Sequence, residues 1–171
     1  GRRMSVPGHC APIGFRIQSH LTVPERITLA FLSSERRGLH LEIGSYIGAS
    51  ASAICAGLTV SGARQRLICI DTWENDAMTE GRRDTYAEFC RNTRCYADLI
   101  LPLKNWSHEA IEEVRRQQAS IDFFFHDGDH SYDAVIRDWR LYSPLLSPGA
   151  VVLFHDYGWA RGVRRAVNEA V

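Results

Sequence analysis

The feature that most constrains this chain is the stretch Leu39-His40-Leu41-Glu42-Ile43-Gly44-Ser45-Tyr46-Ile47-Gly48-Ala49-Ser50. A short apolar run carries an acid near its end, passes through a glycine turn and enters a small-residue stretch from Ala49 to Ala56. Such a pattern is a strand feeding a helix through a loop where backbone approaches a ligand closely, since glycine accepts these turns without a Cβ clash. Further apolar runs repeat the theme: 66–70 closes on Asp71, 121–125 on His126 and Asp127, and 151–154 on His155 and Asp156, with another strand predicted at 98–103. Between them lie helical patterns, beginning with one that Thr22 can cap, that Pro24 and Glu25 open and that Gly38 ends. Others are predicted over 51–58, 84–93, 109–118, 132–141 and 162–171, with a polar excursion at 72–81 and a Ser147-Pro148-Gly149 turn before the last strand. The 121–125 strand is apolar after Asp122, which predicts cover on both faces. Strands alternating with helices predict an α/β fold, a doubly wound and mostly parallel sheet whose ligands sit at the carboxyl ends of the strands. Residues 1–20 show no period and read as an N-terminal arm, leaving 21–171 as one domain.

Charge and cysteines narrow the functional classes. The 171 residues carry formal net charge +0, so no global field draws the chain to nucleic acid or to an anionic membrane. Lys104 is the only lysine, which leaves little scope for Schiff-base chemistry or a P-loop lysine. Five cysteines, odd in number and without C-x-x-C spacing, fit a reducing, cytoplasmic setting, and Cys55 and Cys69 lie in apolar runs. No apolar run approaches membrane-spanning length.

The predicted strand ends carry the chemistry. Glu42, Asp71, Asp127, Asp129, His130, His155 and Asp156 line one rim with carboxylates and imidazoles. A dinucleotide site needs G-x-G-x-x-G, whereas here the pattern is Glu-x-Gly-x-x-x-Gly and the rim repels phosphates. A ligand with a ribose, an ammonium and a sulfonium suits the rim better, with Asp71 taking ribose hydroxyls and the glycine turn admitting an amino-acid tail. Blander readings stand beside this one. Asp71 also suits a helix cap, His155 and Asp156 a satisfied buried pair, and His126 a packed histidine. The tryptophans read as core or rim packing.

Four segments together resemble the class I S-adenosylmethionine-dependent methyltransferases: Leu41-Glu42-Ile43-Gly44 through Gly48 and Ser50, Ile70-Asp71-Thr72-Trp73, Asp127 through Tyr132, and Pro148-Gly149 followed by Phe154-His155-Asp156-Tyr157. The resemblance covers about residues 20–171. It is closest to the metal-dependent macrocin O-methyltransferase-like and cephalosporin-hydroxylase-like branch. It implies a Rossmann-like core with two last strands beyond the last helix seen here; either the sequence is a piece of a longer chain or the protein is a minimal version, whose exposed sheet edge would invite a homo-oligomer. It also implies S-adenosyl-L-methionine held by Glu42, Gly44, Ser45, Gly48, Ser50, Asp71, Trp73, Trp106, Ser107 and Asp127. A divalent cation (Mg2+ or a softer ion) would be held by Asp127, His155 and Asp156, and His130 or Asp129 would act as base. The implied reaction is O-methylation of a hydroxylated small molecule, a sugar or natural product. A cofactor-binding module of the same fold that has lost transfer is the alternative, and a nucleotide-dependent oxidoreductase is the third reading.

Overall fold

A computed structural model describes residues 16–62, 66–75 and 81–170. Helix α1 spans Val23–Ser34, and its start is a reciprocal cap: Glu25 N–H donates to Thr22 Oγ1 while Thr22 N–H donates to Glu25 Oε2 at 2.6 Å. The helix stops at Ser34 with Glu35 as its cap, short of the expected Gly38. Gly38 instead packs on Asp122, whose Oδ2 accepts the N–H groups of Arg37 and Gly38 at 3.1 Å each. Strands β1 (Leu39–Ile43), β2 (Leu67–Asp71), β3 (Ile100–Lys104), β4 (Ile121–His126) and β5 (Leu146–Phe154) alternate with α2 (Ala49–Ser61), α3 (Tyr86–Thr93), α4 (Ser107–Arg116), α5 (Tyr132–Tyr142) and α6 (Arg161–Ala170).

The five strands form one parallel sheet in the order β3-β2-β1-β4-β5. Every residue of β1 is buried, as expected of a central strand with helices on both faces. Leu41, Ile68, Ile70 and Phe124 pack on one side with Ile111 and Val114 of α4. Cys69, Phe123 and Phe125 pack on the other with Leu29 of α1 and Ile54 and Leu58 of α2. Three consecutive phenylalanines in β4, each 3 % exposed or less, contribute about 1.5–3 kcal/mol apiece on burial.

Strand β5 starts earlier than expected because the Ser147-Pro148-Gly149 turn lies inside it. Ile121 pairs with Leu146 and Phe123 with Val151, so the turn bulges outward while pairing resumes on either side. Among the described residues no helix is long and apolar enough to cross a membrane.

Candidate active site

The chain builds β1 to β3 outward, then returns to lay β4 against the opposite edge of β1, so a crevice opens between the carboxyl ends of β1 and β4. A cleft of about 830 Å³ lies along these strand ends, within the range of cofactor sites. Gly44 makes the crevice: it stands at φ +86°, and a Cβ there would lie 2.1 Å from the Asp127 carbonyl oxygen. The amides of Ser45 and Tyr46 both donate to Asp71 Oδ2 at 2.8 Å, and Trp73 N–H donates to Asp71 Oδ1 at 2.7 Å. One carboxylate thereby fixes the loops after β1 and β2. These three bonds use most of the roughly four lone pairs a carboxylate offers, so a grip on two ribose hydroxyls has to compete with them. They also occupy the loop amides that a pyrophosphate would need, which removes the donors required by the dinucleotide reading. Tyr46, Trp73, Asn75 and Asp156 all have positive φ, and all lie in loops that follow strand ends, where backbone strain concentrates in working sites.

Beneath the glycine loop sits Glu42, with no exposed surface. Ser45 Oγ donates to its Oε2 at 2.5 Å, while Oε1 is buried with no well-aligned donor among the described residues. Burial pushes this carboxyl up to about 7, against the opposing pull of the Ser45 and Ser50 hydroxyls and the Cys69 thiol nearby.

On the far side of the crevice, Asp127, His130 and Asp156 each bring one ligand atom within 4.8 Å of the others. His130 Nε2 lies 2.9 Å from Asp156 Oδ2, and its ring meets Trp159 edge-on. His155 Nδ1 lies 3.0 Å from both Asp127 Oδ1 and Asp156 Oδ1, and its Nε2 is 3.5 Å from Glu25 Oε1. The hydrogen bond to Asp127, aided by the charges of Asp127 and Asp156 and opposed by burial, raises its pKa to about 9. His155 thus pairs with both acids at once. Behind the wall, the buried Asp138 accepts from Ser107 Oγ at 2.7 Å and lies 3.1 Å from His126 Nε2, while Tyr142 Oη donates to Ser107 O at 2.6 Å. That network ties α4, β4 and α5 together and makes His126 the packed histidine expected.

A family model described as "Methyltransferase domain" matches residues 41–157, which run from β1 through the loop after β5. The chain belongs to this methyltransferase domain family. It is 29% identical over 118 residues to the uncharacterized protein y4gI of Sinorhizobium fredii, covering 68% of this chain and 13% of that protein. It is 29% identical over 137 residues to the uncharacterized protein R132 of Acanthamoeba polyphaga mimivirus, covering 77% of this chain and 58% of that one. The chain thus spans less than two thirds of the length of these relatives. Its fold is similar to that of the O-methyltransferase from Bacillus cereus solved with SAH (TM-score 0.68, 14% identity, 95% of this chain and 79% of that one). It is also similar to the O-methyltransferase TomG from Streptomyces achromogenes, involved in tomaymycin synthesis and solved with SAM (TM-score 0.64, 20% identity, 98% and 78%).

Within this methyltransferase domain the cleft collects Gly44, Ser45, Ser50, Asp71, Trp106, Ser107, Asp127, Asp129, His130, His155 and Asp156 from the expected set. Three expected cofactor residues stand elsewhere. Glu42 lies under the loop and positions it. A Cβ on Gly48 would meet Thr93 and Phe89, so that glycine serves the contact of α2 with α3. The Trp73 ring is fully buried against Tyr86 and Phe89, with its Nε1–H donating to Tyr46 O at 2.9 Å. The expected metal ligands Asp127, His155 and Asp156 stand together, with His155 Nδ1 3.0 Å from both acids, and His130 also brings a ligand atom within 4.8 Å of the two carboxylates. Of the expected arm, residues 1–15 lie outside the described residues, but 16–20 belong to the domain: Ile17 is buried beside Ile47 and Ala49, and Gln18, Ser19 and His20 line the cleft. The only sequence signal for this was the apolar spacing of Ile17 and Leu21.

Proposed function

We propose that this chain transfers the S-methyl group of S-adenosylmethionine to a hydroxyl oxygen of a small hydroxylated acceptor, a sugar or natural product. The observation that carries the reading is the placement of Asp127, His130 and Asp156 in one cleft with the glycine loop that Asp71 pins. The fit to the cofactor rests on that loop, whose amides serve a carboxylate and not a phosphate, and on the exposed Trp106 indole available for stacking at the end of β3. The similarity in fold to O-methyltransferases solved with SAH or SAM supports the choice of donor and of oxygen as nucleophile.

In the transfer the acceptor oxygen attacks the methyl carbon, the carbon–sulfur bond breaks, and S-adenosylhomocysteine leaves with the sulfonium charge discharged. The acceptor's proton goes to the protein. His130 is the preferred base: Asp156 holds Nε2–H, which fixes the tautomer and leaves Nδ1 to accept. Asp129 lines the same cleft but gives Oδ1 to the Ser131 amide at 2.7 Å. Asp127 and Asp156 would hold a divalent ion, whose Lewis acidity would lower the pKa of an acceptor hydroxyl; with His130 as its third ligand, the proton would pass to Asp129 instead.

The test is calorimetry with S-adenosylhomocysteine, followed by turnover of a panel of hydroxylated acceptors with labelled donor, with and without Mn2+ or EDTA. Binding of the homocysteine product and a loss of about 10²–10⁴-fold in turnover for His130→Ala are expected. The absence of product binding would overturn the assignment of donor. Full activity in both His130→Ala and Asp127→Asn would overturn the site.

A further inference from the structure

His130 stands on a loop with its side chain 40 % exposed, a setting in which an imidazole samples several rotamers unless something holds it. The chain after β5 supplies the hold. Trp159 is 67 % exposed, unusual for a ring that is mostly buried in folded proteins, yet its polar edge is spent inward. Its Nε1–H donates to Asp156 Oδ1 at 2.6 Å, and the other oxygen of that carboxylate, Oδ2, lies 2.9 Å from His130 Nε2. His155 Nδ1 is 3.0 Å from the same Oδ1, so indole and imidazole together set the plane of the Asp156 carboxylate. The Trp159 and His130 rings cross at 85° with centroids 5.2 Å apart, an attractive edge contact. Trp159, Asp156 and His130 therefore close a triangle in which each side chain limits the rotation of the next. The amides of Trp159 and Ala160 lock its base by donating to Asp156 O at 3.1 and 2.8 Å.

Gly162, in the first turn of α6, fixes the backbone under that imidazole. A Cβ on Gly162 would lie 2.3 Å from the His130 carbonyl oxygen, 2.6 Å from the Tyr132 nitrogen and 2.9 Å from the Ser131 carbonyl carbon. All three are main-chain atoms, so no change of rotamer relieves the clash. Helix α6 is anchored next to this contact, because Val163 and Ala166 are buried in one cluster with Val135 and Ile136 of α5. The part that gives way is the 130–132 turn, and a displaced turn carries His130 with it. We infer that Trp159 and Gly162 are positioning residues for His130: Trp159 aims the ring through Asp156, and Gly162 sets its backbone by letting α6 touch the turn directly. This rests on the proposed role of His130 at the acidic centre and holds for His130 as base and as metal ligand alike.

The test uses Gly162→Ala and Trp159→Phe, the latter keeping an aromatic ring while removing the N–H, each alone and combined with His130→Ala. The first readout needs no acceptor: nitrogen-15 NMR of the histidine rings in EDTA at about pH 8.5, with the His130 signals identified by their loss in His130→Ala. The unmodified chain should show His130 as one Nε2–H tautomer, and each variant should show the two tautomers mixed. The second readout is turnover of an acceptor from the panel, in which kcat should fall about 10-fold in Trp159→Phe and about 100-fold in Gly162→Ala. S-adenosylhomocysteine affinity should stay within about twofold, and in the His130→Ala background neither substitution should cost more than about twofold further. Trp159→Phe alters an exposed side chain and keeps the test decisive if Gly162→Ala does not fold. An unchanged His130 tautomer in Trp159→Phe would overturn the inference, as would losses in kcat that persist undiminished in the His130→Ala background, the mark of a purely structural role. Full turnover in His130→Ala would overturn the role of His130 and this inference together. Failure to bind S-adenosylhomocysteine, with the tautomers mixed as expected, would overturn the donor assignment and leave the placement of His130 standing.

Discussion

Replacing Glu42 by glutamine tests the claim that a functional loop is underpinned by a buried acid at a cost in stability. Glu42 is wholly buried, and its folded pKa of about 7 stands above the ordinary carboxyl value of 4.5. A carboxyl whose pKa is raised on folding holds its proton more tightly in the native state. Its favourable contribution is therefore complete below about pH 4.5 and lost as pH rises through about 7. The shift is about 2.5 pH units, and at 1.36 kcal/mol per unit it corresponds to about 3 kcal/mol lost by pH 8. The amide introduced by the substitution keeps an acceptor for Ser45 Oγ and does not titrate. The Oε1 side of the group lacks a well-aligned partner in both forms, so it cancels in the comparison. Glu42→Gln should thus equal the parent near pH 4.5 and exceed it by about 3 kcal/mol at pH 8. For a domain of this size that corresponds to about 6–12 °C in Tm. The assay is thermal and urea unfolding of both proteins from pH 4.5 to 8.5, with the difference between them as the readout, so that other titrating groups drop out. A flat difference across this range, or a less stable variant at pH 8, would refute the reasoning and show that the ionised carboxylate is itself stabilised in the folded chain.

The other expectations are briefer. Gly44→Ala forces a Cβ to within 2.1 Å of the Asp127 carbonyl at φ +86° and should cost about 3 kcal/mol or more, read as a lowered urea midpoint. Asp71→Ala frees the amides of Ser45, Tyr46 and Trp73 together; at about 1.5–3 kcal/mol per charge-assisted bond, S-adenosylhomocysteine affinity should fall at least 100-fold by calorimetry while far-ultraviolet dichroism is kept. His155 gains stability for the native state below about pH 6.5 and loses it as pH rises through about 9; His155→Gln should remove this alkaline limb from an unfolding profile taken between pH 6 and 9.5.

The local pattern of the chain already contained the sheet. Apolar runs at 39–43, 121–125 and 151–154, each followed by a turn and a helical period, can bury both faces of a strand only between helices, and β1, β4 and β5 appear where these runs lie. The Thr22-x-x-Glu25 box was legible for the same reason: a cap is made by residues three apart. The Gly38 stop was not, because that glycine answers to Asp122, a residue 84 positions away. Likewise nothing in the alternation of β1 distinguishes an acid facing a cleft from one sealed under a loop.

The linear order of residues determined which chemistry stands at the carboxyl ends of the strands, because strand ends follow from hydrophobic period and turn residues alone. Tertiary structure decided which of those side chains meet. His130 and His155 are equivalent by composition and both lie beside an acid in sequence, yet His130 meets Asp156 and the Trp159 ring, whereas His155 lies 3.0 Å from both Asp127 and Asp156 and reaches towards Glu25. That difference comes from the packing of the β4 and β5 termini against Glu25 at the start of α1. Contacts between segments so far apart in the chain carry no local signature, so only the folded molecule could assign these roles.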